Sequence, residues 1–255
     1  MITAAALALS LAVGAGSENA PPEKWTGSVG VGLVAITGNA RTLTLAGNAA
    51  AERKGELFIF SLKALGAYGE ARPAGQSASE VSALNAALFL RGDYRLTPAL
   101  SVFALGGAET DHVKSIEIRY TEELGLGYAW IDRKEDDQTL FVRTDVGFRL
   151  AEEYRFQYYP TAGRVDPREF TFKAPRGAVA FRYGLNKNVL FTEDLEVLPN
   201  LGESRVLVNS LSKLAAKLTG ALQLGVGFTV NYDSAPPSPK IPWDTTLALT
   251  LEYLL

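Results

Sequence analysis

The chain has no cysteine and a single histidine. The first absence excludes a disulfide-stapled fold, a thiol nucleophile and any cysteine-ligated zinc or iron–sulfur site. The second excludes a multi-histidine metal site within one chain. Neither sign of charge dominates. The 25 basic residues face 28 acidic ones, a formal net charge of -3, so no strong positive field points to nucleic acid. The apolar run at 4–16, AAALALSLAVGAG, has 13 residues and is too short to span a bilayer as a helix.

What remains is a chain of 255 residues, 47% hydrophobic and 21% charged, which is neither a disordered tail nor collagen-like. The short apolar run is followed by small residues, Ser17 to Ala20, and then by Pro21 and Pro22. That order reads as the core and cleavage zone of a secretory signal peptide over 1–20, with the mature domain at 21–255. No Lys or Arg precedes the run, so a late start codon or a frayed N-terminal helix are the alternatives.

Most of the chain alternates with period 2. Trp243, Thr245, Leu247, Leu249, Leu251, Tyr253 and Leu255 share one face, and Asp244, Thr246, Ala248, Thr250 and Glu252 share the other. Leu222 to Asp233 repeats the pattern, with Gly225 and Gly227 opposite Leu224, Val226 and Phe228. So do Trp25–Thr37, Ile116–Trp130 and Leu140–Leu150, with Glu122 and Phe141 as misfits. Weaker strands are predicted near 40–53, 56–70, 80–92, 99–108, 177–186, 188–197 and 205–217. The total is about twelve strands, many of them long enough to cross a bilayer at a tilt, which takes about 9–11 residues.

Alternation alone does not separate a soluble sheet from a barrel whose apolar face meets lipid. Turn lengths do. Short turns are predicted near Lys54–Gly55, Tyr94–Thr97, Lys134–Asp137, Asn186–Lys187 and Leu218–Gly220. They alternate with connections near 38–39, 71–79, 108–115, 151–176, 198–204 and 234–242, most of them longer. Tyr120, Tyr128, Trp130, Phe148, Phe228, Tyr232, Trp243 and Tyr253 fall on the apolar face, several near strand ends, as interfacial girdles do. The expected fold is an all-β antiparallel transmembrane β-barrel of about 12 strands, and the runner-up is a soluble periplasmic β protein.

Trp25–Thr26–Gly27–Ser28–Val29–Gly30 with Thr37–Gly38–Asn39, then Leu124–Gly125–Leu126–Gly127–Tyr128 with the Arg133–Asp137 turn and Gly147, then Asn231–Tyr232–Asp233–Ser234, Pro236–Pro237 and Asp244–Thr245, appear in a characteristic order. Together they resemble the YdiY-like salt-induced outer-membrane protein family, domain of unknown function 481, over roughly 25–255. The resemblance implies an outer-membrane β-barrel of a Gram-negative bacterium in an envelope-stress or osmotic context. It implies no reaction, ligand or catalytic residue. The C-terminal alternation from Leu247 to Leu255 is similar to the signal read by the barrel assembly machinery, with Leu255 where Phe or Trp is usual.

Candidate chemistry is sparse. His112 with Asp111 and Ser115 allows a Ser-His-acid site to be drawn, although the placement puts His112 in an outward loop, where solvation is the simpler role. Glu122–Glu123, Asp136–Asp137, Glu152–Glu153 and Asp194 with Glu196 are paired acids without calcium-loop spacing. No catalytic, cofactor-binding or metal-ligating residue is expected, and no enzyme. Function is expected on the inward face. There Arg119, Arg143, Arg149 and Arg182 meet Glu117, Glu123, Asp145, Asp194 and Glu252, while glycines 30, 32, 125, 127, 225 and 227 relieve crowding. Paired charges across a narrow lumen would plug it, and charges along a wide one would tune ion passage. The reading is a structural or envelope-related barrel, with a passive diffusion channel as the alternative. Outer-membrane lipid and lipopolysaccharide, and the assembly machinery during insertion, are its expected partners.

Overall fold

The computed structural model describes residues 25–36, 41–72, 78–112, 116–135, 138–156, 168–202, 204–235 and 242–255. The signal peptide expected at 1–20, Asp136–Asp137 and Ser115 lie outside the described residues. Twelve antiparallel strands close into a single barrel. They are β1 (Trp25–Ile36), β2 (Arg41–Lys54), β3 (Phe58–Arg72), β4 (Glu80–Arg95), β5 (Leu100–Asp111), β6 (Ile116–Glu135), β7 (Gln138–Arg155), β8 (Glu169–Asn186), β9 (Val189–Asn200), β10 (Arg205–Lys217), β11 (Leu222–Asp233) and β12 (Trp243–Leu254). Each strand pairs with its sequence neighbours, and β12 pairs with β1.

Both chain ends of the barrel and the connections at 55–57, 96–99, 136–137, 187–188 and 218–221, each of two to four residues, lie at one end, the short-loop end. The other, the long-loop end, carries connections of four to thirteen residues. The predicted asymmetry is therefore present, with one correction. The 151–176 connection shrinks to 156–168, because β7 runs on to Arg155 and β8 starts at Glu169. Pro175 is the reason sequence misplaces this boundary. It pairs with Phe148 on β7, whereas the ladder from β8 to β9 begins only at Gly177. Proline has no N–H to donate, so β8 is an edge toward β9 at that level and stays paired toward β7.

The barrel is apolar outside and polar inside. Val29, Val31, Leu33, Leu124, Leu126, Val146, Leu247, Leu249 and Leu251 all stand exposed on the outer wall. A contiguous surface of this kind has no place in water and fits hydrocarbon, which also explains why every strand must find partners on both sides. Aromatic side chains rim the belt. Trp25, Phe58, Tyr94, Tyr128, Trp130, Tyr183 and Tyr253 ring the short-loop end, and Tyr68, Tyr120, Tyr232 and Trp243 the long-loop end. The buried residues are mostly polar, including Glu52, Asp93, Glu123, Asp145, Arg182, Lys213 and Glu252.

Two bulges correct the predicted faces on β6. The register shifts between Ile116 and Ile118 and again between Ala129 and Ile131. The first turns Ile116 into the interior at 3% exposure and leaves Glu117 exposed, so Glu117 is not one of the inward acids. The second exposes Trp130 and Ile131 together at the aromatic rim. A bulge puts two residues opposite one and so breaks the period-2 parity by which sequence assigns faces. Glu122 does stand on the outer wall, as the alternation predicts.

Candidate functional site: the luminal ion-pair network

Arg-x-Asp stands at 91–93 on β4 and at 143–145 on β7, and on a strand that spacing puts both side chains on one face. Both pairs point inward and exchange partners across the lumen, over β5 and β6. Arg91 donates to Asp93 at 2.8 and 2.9 Å and to Asp145 at 2.7 Å. Arg143 donates to Asp145 at 2.7 Å, to Asp93 at 2.5 Å and to the Ser101 hydroxyl at 3.1 Å. The Arg91 guanidinium also lies 3.9 Å from the centre of the Phe103 ring, which is 1% exposed.

A second quartet lies beside the first. Arg149 on β7 donates to Glu123 on β6 at 2.8 Å and to Glu196 on β9 at 3.1 Å. Arg176 on β8 donates to Glu196 at 2.7 Å and to Glu123 at 3.0 Å. Asn209 on β10 adds an amide to Glu196 at 2.8 Å, and Arg176 approaches Asp145 at 3.9 Å, joining the quartets. Four guanidinium groups thus balance four carboxylates, Asp93, Asp145, Glu123 and Glu196, with most donor positions used. Burying eight charges is tolerable because each is matched and hydrogen-bonded.

Smaller clusters continue the pattern toward both ends. Near the long-loop end Arg119 bridges Glu109 and Glu153, Arg155 joins Glu153, and Arg205 pairs with Asp233. Nearer the short-loop end Arg182 donates to Asp194 at 2.6 Å and to the carbonyls of Phe181 and Glu193. On β10–β12, Lys213 and Gln223 each donate to Glu252 at 2.5 Å. Lys63 on β3 brings its charge within electrostatic range of Asp194 on β9, on the opposite side of the ring.

Inward glycines make room for this filling. A Cβ on Gly127 would sit 2.1 Å from a terminal nitrogen of Arg143, and one on Gly225 would sit 2.9 Å from Cε of Lys213. These positions are seats for long charged side chains, a sharper role than relief of crowding.

Of the sequence-derived inward set, Arg119, Arg143, Arg149, Arg182, Glu123, Asp145, Asp194 and Glu252 are brought into ion pairs. Arg91, Asp93, Arg176, Glu196 and Lys213 were missed as members of that set. The repeated Arg-x-Asp was the available signal. Arg176 was hidden by its placement in the long connection. His112 follows β5 immediately; its N–H donates to the Leu84 carbonyl at 2.9 Å, and its ring stands edge-on to Phe156 with centroids 5.7 Å apart.

Comparison with solved structures gives the NanC porin at 10% identity, covering 90% of this chain and 100% of that one, with a TM-score of 0.51. The COG4313 outer membrane channel from Pseudomonas putida F1 shares 10% identity over 92% of this chain and 96% of that one, at 0.48. At such identity the likeness to the NanC porin concerns the fold alone. No curated protein matches. Residues 29–254 match the family described as "Protein of unknown function, DUF481", and that span, the barrel from β1 to β12, makes the chain a member of the DUF481 family.

Proposed function

We propose that this barrel resides in the outer membrane of a Gram-negative bacterium, with the short-loop end in the periplasm. We propose further that it serves the envelope as a closed structural element, without catalysis, under the osmotic or envelope stress that the family resemblance implies. Outer-membrane lipid and lipopolysaccharide surround it in this reading, and the barrel assembly machinery inserts it. The observation that carries the closed state is the pair of quartets, whose four arginines and four carboxylates tie β4 to β7 and β6 to β8, β9 and β10 across the lumen. Their charges cancel, so they form no field that would draw ions of one sign through the barrel.

The test is planar-bilayer recording on the refolded chain, after an unboiled gel has shown the fast-migrating compact form. The expected result is silence, with no discrete conductance steps. Discrete steps would replace this reading by the passive diffusion channel, and their ion selectivity would show which luminal charges line the path.

A further inference from the structure

The barrel closes by its shortest ladder. β1 and β12 pair from Ser28–Leu254 to Gly32–Thr250, five positions next to the short-loop end, and just below them the Leu255 N–H donates to the Gly27 carbonyl at 2.9 Å. Beyond Gly32, β1 runs on through Leu33–Ile36 paired with β2 alone. Before Thr250, β12 runs from Trp243 to Leu249 paired with β11 alone. The long-loop half of this seam therefore presents two strand edges to each other, with no ladder between them among the described residues. In hydrocarbon such edges are untenable unless something polar meets them. The β8–β9 boundary also opens above Gly177, but there the Leu201 N–H donates to the Lys173 carbonyl and Phe172 and Leu198 pack behind it.

The wall behind the open seam has its own chemistry. β1 carries no charged residue, nor do Thr42–Ala51 of β2 or Thr245–Leu251 of β12. Inward there stand Gly32, Ala46, Thr246 and Ala248, all partly exposed, and the Thr246 hydroxyl oxygen is buried without a hydrogen-bond partner. Outside, Leu33, Leu43, Leu247 and Leu249 are all more than half exposed. Glu252, lower on β12, is already taken up by Lys213, Gln223 and Thr250, and Asp233 at the rim of β11 by Arg205.

We propose that the long-loop half of the β1–β12 seam is a lateral portal between the lumen and the membrane, and that its ligand is an amphiphile with an uncharged polar head. The apolar tail lies against the outer leucines. The head, rich in hydroxyls, meets the unpaired strand edges and Thr246. Between Arg41 and Asp244 at the long-loop rim and the paired Glu252 below, this wall has no counter-charge for a charged head. The portal needs no passage to the periplasm, so it stands or falls apart from the conductance result.

The absence of cysteine makes the test clean. Val31→Cys with Leu251→Cys joins register partners in the zipped part of the seam and should oxidise to near completion. Ala35→Cys with Leu247→Cys would be opposite each other only if the same register continued, and should cross-link at least tenfold less. Equal cross-linking overturns the portal. A second measurement survives any folding defect in the double variants. Bimane on Thr246→Cys, an inward position, is exposed to a bromoalkyl glucoside in vesicles. Quenching approaching that at the outward Leu247→Cys is expected, against none at the inward Ala87→Cys on β4. No quenching at 246 overturns the portal, and equally strong quenching by a bromoalkyl carboxylate overturns the uncharged head.

Discussion

The barrel has two unlike halves. Strands β6, β7 and β8 are 20, 18 and 18 residues long and carry Arg119, Glu123, Arg143, Asp145, Arg149, Glu153 and Arg176 on their inner face. Strands β11, β12 and β1 are 12 residues each and carry mainly Gly, Ala, Ser and Thr inward. In the first half the interior is held by charge chords between strands. In the second the ladder itself is nearly all there is. The comparison teaches that one closed sheet can be cross-braced by many side chains in one part and rest mainly on backbone pairing in another, where the bonds of Lys213 and Gln223 to Glu252 brace β10 and β11 to β12.

The largest way to break that contrast is to orphan a charge. Asp93 is 2% exposed and receives Arg91 and Arg143. Asp93→Ala leaves the Arg91 and Arg143 guanidinium groups short of a partner inside the barrel, and about 3–5 kcal/mol of stability should be lost. Thr246→Ala, in the other half, removes a hydroxyl that has no hydrogen-bond partner and should stay within about 0.5 kcal/mol of the parent. Equilibrium urea unfolding in phospholipid vesicles reads both. Equal effects would mean that the network does not stiffen its half.

How much of this was legible beforehand follows from which signals are local. The alternation over Leu222–Asp233 and Trp243–Leu254 is set by the pleat, so strand number and facing came through directly. Glu117 failed because a bulge is a one-residue insertion that no single strand's pattern reveals. The extension of β8 failed because Pro175 reads as a breaker, and only its neighbours show that the N–H it lacks is wanted on one side alone. Which acid meets which arginine is a property of the closed ring. The sequence carries Arg91-x-Asp93 and Arg143-x-Asp145, but their exchange of partners depends on how strands β4 and β7 face each other across β5 and β6. The short β1–β12 ladder is invisible in sequence, since both strands alternate as well as any other.

A middle-sized test sharpens the seat role of the inward glycines. Gly127→Ala drives a methyl into the Arg143 guanidinium and should displace it from Asp93, with a loss of about 1–3 kcal/mol. Gly227→Ala, in the thin half, meets nothing nearer than a Leu211 methyl at 3.8 Å and should gain up to about 1 kcal/mol from reduced backbone freedom in the unfolded chain. The same vesicle titration checks the pair. A loss at 227 as large as at 127 would show that both glycines serve strand curvature and that neither is a seat.

The smallest effects belong to the outer wall, where two carboxylates face lipid in different company. Glu122 on β6 is exposed beside Leu150 and Leu124, with no hydrogen bond or ion pair among the described residues. Glu193 on β9 receives the Ser210 hydroxyl at 2.7 Å and the Ser212 hydroxyl on its other oxygen. A bare charge on a lipid-facing wall is unfavourable by an amount that shrinks toward the interface, so Glu122→Leu should stabilise the barrel by about 0.5–1 kcal/mol. Glu193→Leu removes a similar charge but strands two hydroxyls in the apolar belt. The penalty of unmade hydrogen bonds, about 1–3 kcal/mol for a buried group, then offsets the gain, and the variant should be neutral or weaker by about 1 kcal/mol. Opposite signs from the same substitution would establish that the serine pair on β10 is what makes Glu193 tolerable. Equal gains would mean that the Ser210 and Ser212 hydroxyls do nothing to offset the cost of the Glu193 charge, and no gain at either site would place both carboxylates above the hydrocarbon.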